Sequence, residues 1–292
     1  MAGLGTSITA SDYNAIQAKI ALVLGTGSGD YGYGQVVSSS SVSTSAKISV
    51  TQWNNLQSDI IRARQHQTGN TETLTTAATN VKITEADRAA YNAMATDCQT
   101  YRLSVPPTSQ ATRENSVATQ VRTANWNGTI TQYVTVTFAD ANYARYYFNS
   151  GSRFEFSASR TGGVGTSKDV SWTTILTNMG TIYFDRDNTT CTGSGTGSTI
   201  GWADITGSDQ QIFEKTLPGT TYYPNVYRIY ARAPLANQIV FTIQFSDASG
   251  QPNPPWGTDE DVTGTLTSTV QVYRASGSNV SVPNPPASTT AI

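Results

Sequence analysis

ITASDYNAIQAKI (residues 8–20) returns as ISVTQWNNLQSDI (residues 48–60) and more faintly as ITEADRAAYNAMA (residues 83–95). Each copy opens on an isoleucine followed by a hydroxyl residue, with a polar residue three positions later: Thr9 and Asp12, Ser49 and Gln52, Thr84 and Asp87. That spacing is a capping box, in which the hydroxyl covers an orphan amide of the first helical turn and the polar partner reaches back to the cap. Ile8 with Tyr13 and Ile48 with Trp53 occupy the flanking apolar staple positions, whereas the third copy places Arg88 there. Apolar residues then recur at helical spacing, as in Tyr13, Ile16, Ile20 and Leu24. The pattern predicts three capped helices of moderate length, each with one apolar face.

Between the copies lie GTGSGDYGYGQVVSSSSVSTSAK and TGNTETLTTAATNVK. Loops of this length are uncommon inside a compact domain. Two readings fit them: flexible Ser/Gly linker, or segments in which Tyr31, Tyr33, Val36 and Val37 contact a neighbouring subunit. Downstream, SVPPTSQAT (residues 104–112) marks a boundary, and the period changes from helical to alternating. TITQYVTVTF, YRIYARA, QIVFTIQFSDA and GTLTSTVQVYRA read as strands, and DVSWTTILTNMG as a short helix ending at Gly180. ARYYFNSGSRFEFSASRTG reads as a hairpin turning at Asn149-Ser150-Gly151. The expected fold is α+β: a helical assembly region (1–103), a proline-containing linker (104–112), an antiparallel, jelly-roll-like β-sandwich (113–282) and an extended tail (283–292).

Composition limits the chemistry. Charged residues make up 13% of the 292 residues, about half the usual share of roughly 25%. The net charge of −2 and the lack of a Lys/Arg stripe oppose a nucleic-acid partner. The apolar run IALVLG is too short for a signal peptide or a membrane span, so neither export nor membrane insertion is expected. A single histidine, His66, excludes a multi-histidine zinc site, and no GxSxG elbow accompanies it. It falls near a helix end, where a partly exposed ring is expected. Cys98 and Cys191 lie in segments of different predicted structure and are expected to stay unbridged.

Other motifs have ordinary readings. RTGGVGTSKD (residues 160–169) lacks the phosphate-loop spacing and is expected to be a mobile connection between strands. Asp185, Asp187 and Asn188, and Asp259, Glu260 and Asp261, offer oxygen ligands but no EF-hand register. Glu155 alternates with Phe154 and Phe156 and is expected on the wet face. Tyr222, Tyr223 and Trp256 sit beside prolines in predicted loops, as candidate contacts for glycan or another subunit. No catalytic residue, cofactor or metal site is expected.

Together, ITASDYNAIQAKI, GSGDYGYGQ and FADANYARYYFNSGSRFEFSASRTGG resemble virion structural proteins of contractile-tailed bacteriophages, of the type carried by marine myophages that infect cyanobacteria. The resemblance spans the helical copies and the first half of the β region, and brings no catalytic motif. It implies a tail, neck or baseplate component assembled in the host bacterial cytoplasm. Its partners would be copies of itself in a symmetric homo-oligomer and other phage structural proteins. The alternative is a tail module that recognises host-surface glycan; a glycan-degrading enzyme ranks third, resting only on unassigned carboxylates.

Overall fold

The computed structural model describes residues 8–44, 46–220, 222–249 and 259–292, with the side chains of residues 115 and 116 set aside. Three helices come first: α1 (Ala10–Leu24), α2 (Val50–Thr68) and α3 (Glu85–Thr100). Two antiparallel sheets packed as a β-sandwich follow, giving the α+β class expected. The chain divides into two compact units. One comprises residues 1–112, 145–152 and 274–283; the other comprises 113–144, 153–273 and 284–292.

In the helical unit all three capping boxes form. Thr9, Ser49 and Thr84 each accept from the backbone of the third helical residue, and Asp12, Gln52 and Asp87 return the bond to the cap. Each helix packs on the other two, burying Tyr13, Ile16, Ile20, Trp53, Leu56, Ile60, Tyr91 and Ala95. At the third staple position Arg88 instead pairs with Glu85, Nε to Oε2 at 2.7 Å.

The three helices begin around one cavity, lined by Ile8, Thr9, Ile48, Ser49, Trp53 and Ile83 among others. Helices that start at the same end cannot be joined by a short turn. After α2, 19 residues long and so about 28 Å, the chain must travel back the same distance, which takes about nine extended residues. Residues 25–49 and 69–84 are these returns.

Side chains at matching repeat positions hold the returns in place. Asn14 Nδ2 donates to Val42 O (2.8 Å) and its Oδ1 accepts from Val42 N (2.8 Å). Asn54 does the same with Ala77, at 3.1 and 2.8 Å. Three residues along each helix, Gln17 donates to Ser39 O and Gln57 to Leu74 O. The paired positions run in opposite directions, so each return lies antiparallel to its helix. In the third copy Ala89 replaces the asparagine, and Asn92 accepts from Lys19 Nζ (2.9 Å) instead. No return follows α3, so no clamp is needed there.

The sandwich unit is built from β1 (Ala111–Arg122), β2 (Gly128–Thr137), β3 (Arg153–Thr161), β4 (Ile182–Phe184), β5 (Thr189–Cys191), β6 (Thr196–Gly197), β7 (Gln210–Lys215), β8 (Val226–Leu235), β9 (Gln238–Asp247), β10 (Thr265–Ala275) and β11 (Ala287–Thr289). One sheet runs β1-β10-β3-β4-β5 and the other β11-β2-β9-β8-β7-β6. Phe241 on β9 is ringed by Phe154, Phe156 and Phe184 of the other sheet, with centroids 5.3, 5.0 and 5.3 Å away. The helix α5 (Ser167–Met179) buries Trp172 beside Trp126 and Phe245.

Four expectations are corrected or sharpened. The predicted hairpin is a helix, α4 (Ala141–Asn149), followed by β3. Asp140 Oδ1 caps it by accepting from Asn142 N and Tyr143 N, and Ala144, Tyr147 and Phe148 are buried at helical spacing. His66 is wholly buried: Nε2 donates to Ser150 O at 3.0 Å, and the ring meets the edge of Tyr33. Glu155 is 2% exposed rather than wet. The segment read as an extended tail is extended, but β11 within it pairs with Val134–Val136 of β2. Cys98 and Cys191 are free thiols, and burial pushes Cys98 up to about 12.

Burial holds His66 down to about 4 despite its bond to Ser150. The unfolded ring takes up a proton near 6.5 and the folded ring only near 4, so stability falls as pH drops through that window. The full effect is about 3 kcal/mol. Protection of the α2 amides, measured relative to their intrinsic exchange rates, should therefore fall between pH 6.5 and 4, and His66→Gln, which keeps a donor toward Ser150, should flatten that dependence.

Candidate functional site

The densest cluster of titratable groups lies where α5 begins. Thr166 caps the helix by accepting from Asp169 N, which places Lys168 and Asp169 in its first turn. Lys168 is wholly buried, as is the Asp247 side chain at the end of β9. Its Nζ donates to Asp247 Oδ2 at 2.9 Å, to Asp259 Oδ1 at 2.7 Å and to the carbonyl of Glu260. Asp247 Oδ1 accepts from Ser249 Oγ at 3.2 Å, and Asp259 Oδ2 accepts from Asn127 Nδ2 at 2.8 Å.

The two carboxyls respond in opposite directions. Burial raises Asp247 above the ordinary carboxylate range, against the pull of Lys168. Asp259 is held below that range, first by its hydrogen bond from Lys168. Burial alone would lower the ammonium, but its bonds to Asp259 and Asp247 outweigh that and raise it.

Beside it stands a second pair. Arg160 Nη2 lies 2.5 Å from Asp169 Oδ1, with both side chains buried. Asp169 also accepts from Thr263 N (2.8 Å), Thr263 Oγ1 (2.6 Å) and Gly165 N (3.1 Å). Burial would raise this carboxyl, yet the Thr263 bonds and Arg160 bring it below the usual value. The connection 160–169 is therefore tied down, with Val164 N also bonded to Thr263 Oγ1. The chain's own carboxylate stands where a phosphate would have to bind. Gly163, at φ +86°, is needed here, since a Cβ would lie 2.4 Å from Arg160 Nη2.

In the calcium-like stretches Asp185 and Asp259 have partners within the chain. Asp259 faces an ammonium, while Asp185 accepts from Asp187 N and Asn188 N in an Asx turn. Among the described residues no group of three or more His, Cys, Asp or Glu could hold a metal ion, and no helix is long and apolar enough to cross a membrane. Glu155 is gripped by Arg113 (2.7 Å) and Arg153 (2.9 Å). The Arg153 guanidinium in turn lies 3.8 Å from the Tyr183 ring centre and 5.1 Å from that of Tyr273.

The residues singled out from sequence fall in both units. Tyr33 is buried in the helical unit, donating to Arg102 O and accepting from Gln67 Nε2. Tyr31 carries Arg102 over its ring at 4.3 Å. Val37 is half-buried, and Val36 is 82% exposed, with its carbonyl accepting from Arg62. Tyr222 is half-buried near Ser167 and Glu260, where burial raises its hydroxyl. Tyr223 is 54% exposed, and Trp256 lies outside the described residues. Sequence reading missed Lys168 and Asp247 because they pair with each other across 79 positions of chain, and it missed Asp169 although Arg160 and Gly165 lie within the same stretch. The one local signal was a Thr-Ser-Lys-Asp cap placing a lysine in a helix's first turn, where basic residues are disfavoured.

The cavity at the helix starts has a volume of about 570 Å³, with Lys47 and Lys82 among its lining residues. Comparison with protein families, curated proteins and solved structures gives no match for this chain.

Removing Glu155 leaves two guanidinium groups without their carboxylate. Glu155→Ala should lower stability in urea denaturation by about 1–3 kcal/mol. Arg113→Ala, on the half-exposed side of the pair, should cost less than about 1 kcal/mol.

Proposed function

We propose that this chain is a structural component of a bacteriophage particle, associated with the tail, neck or baseplate. It would act by symmetric assembly with copies of itself and with other structural proteins, and would carry no active site. The observation that carries this reading is β1. It is twelve residues long and ends its sheet, and Val121 on it is 57% exposed. A strand edge of that length is a ready template for another chain. The exposed Val36 in the first helix return adds a second apolar point for contact. The resemblance in sequence supports the same reading. The host-glycan alternative has Tyr223 as its exposed loop aromatic among the described residues, and a glycan array comparing Tyr223→Ala with the parent chain separates the two.

Sedimentation of the purified protein should reveal a homo-oligomer that Val121→Lys weakens, because a charge on a strand edge opposes edge-to-edge pairing. Mass spectrometry of purified particles should detect the chain. A monomer at all concentrations, together with absence from the particles, overturns the proposal.

A further inference from the structure

The Lys168 cluster has the composition of a self-reacting site. We propose that Lys168 Nζ and Asp247 Cγ condense to an amide inside the sandwich unit, with Asp259 as the proton shuttle, leaving an internal covalent cross-link. This inference is independent of the assembly reading.

Geometry selects the partners. Lys168 Nζ sits 2.9 Å from Asp247 Oδ2, with both side chains fully buried. Asp259 Oδ1 lies 2.7 Å from the same nitrogen, with its side chain 29% exposed. Ser249 Oγ donates to the other oxygen of Asp247, where negative charge develops when the carbonyl carbon is attacked. The backbone bearing Ser249 is fixed in turn, since Ala248 N and Ser249 N both donate to Asn225 Oδ1.

The roles of the two carboxyls follow from their surroundings. Two acids whose environments push their titration apart divide into an electrophile and a base. Asp247, raised by burial, is the one that can hold a proton and so present an acid carbonyl. Asp259, held low, stays a carboxylate able to accept one. Lys168 is ammonium at rest, and its upward shift makes the free amine scarce. The amine arises by proton transfer along the Lys168–Asp247 hydrogen bond, giving a neutral amine and a neutral acid; excluding water from the pair lowers the cost of that neutral form.

The step balances without any other reagent. The amine lone pair attacks Asp247 Cγ, forming the C–N bond. Asp259 removes one proton from Nζ and delivers it to the departing hydroxyl. The C–O bond breaks and water leaves. Of the three protons on the original ammonium, two depart in that water and one remains on the amide. Asp259 returns to carboxylate, and a neutral amide replaces two buried charges.

Mass measurement of the full chain after denaturation decides the matter. The expected result is a mass one water below that of the sequence, with a proteolytic fragment joining the Lys168 and Asp247 peptides. Lys168→Met should restore the full sequence mass. Asp259→Asn keeps both reacting groups and should leave most of the chain uncross-linked, which covers the case in which Lys168→Met fails to fold. A folded parent chain at full sequence mass overturns the proposal, as does a water lost elsewhere in the chain.

Discussion

Three helices that start around the same cavity impose the constraint from which the rest of the helical unit follows. Each junction between them must carry the chain back along a whole helix, so the linkers have to be long. A long linker running beside a helix cannot form a ladder with it, because the helix has already used its own backbone groups. Side chains must supply the missing partners. An asparagine suits this role because its amide donates and accepts at once, matching one backbone N–H and one C=O. Asn14 on Val42 and Asn54 on Ala77 make that match. The loss of the asparagine in the third copy, after which no return is made, ties the residue to the return and not to the helix.

The sandwich unit solves a different problem. A chain with few charges buries several of them: Lys168 with Asp247, Arg160 with Asp169, and Glu155 between two arginines. Buried pairs of this kind add little net stability over apolar packing, but leaving one partner alone is costly. They therefore act as registration marks. They join the start of α5, the end of β9 and the segment at 259–263, and separating any of these would strand a charge.

Much of this was legible in the sequence where the signal was local. Capping boxes and helical spacing lie within a few residues, so all three helices could be read directly. The strands β2, β8, β9 and β10 showed through their alternation. The helix α4 was misread because Tyr-Tyr-Phe carries strand propensity, while its real signal was the Asx cap at Asp140 just before it. Glu155 was misplaced because alternation assigns one dry face and one wet one, and a strand with arginines and tyrosines over its second face is dry on both. The Lys168 cluster showed locally only as a lysine in the first turn of α5. Lys168 and Asp247 stand 79 positions apart, and nothing near either residue announces the other.

A residue's chemical capability is weak evidence of function until its partners are known. The glycine-rich stretch at 162–165 would suit an anion, but the amide of Gly165 and the hydroxyl and amide of Thr263 already face Asp169. Asp259 would suit a cation, but it holds an ammonium. Asn14 and Gln17 could bind a ligand, but they hold a return of their own chain. β1, Val36 and Val121 are of another kind. A twelve-residue strand at the end of its sheet and isolated exposed valines have little use in chemistry and a clear use in contact. The end strand and the two exposed valines are the observations on which the assembly proposal rests.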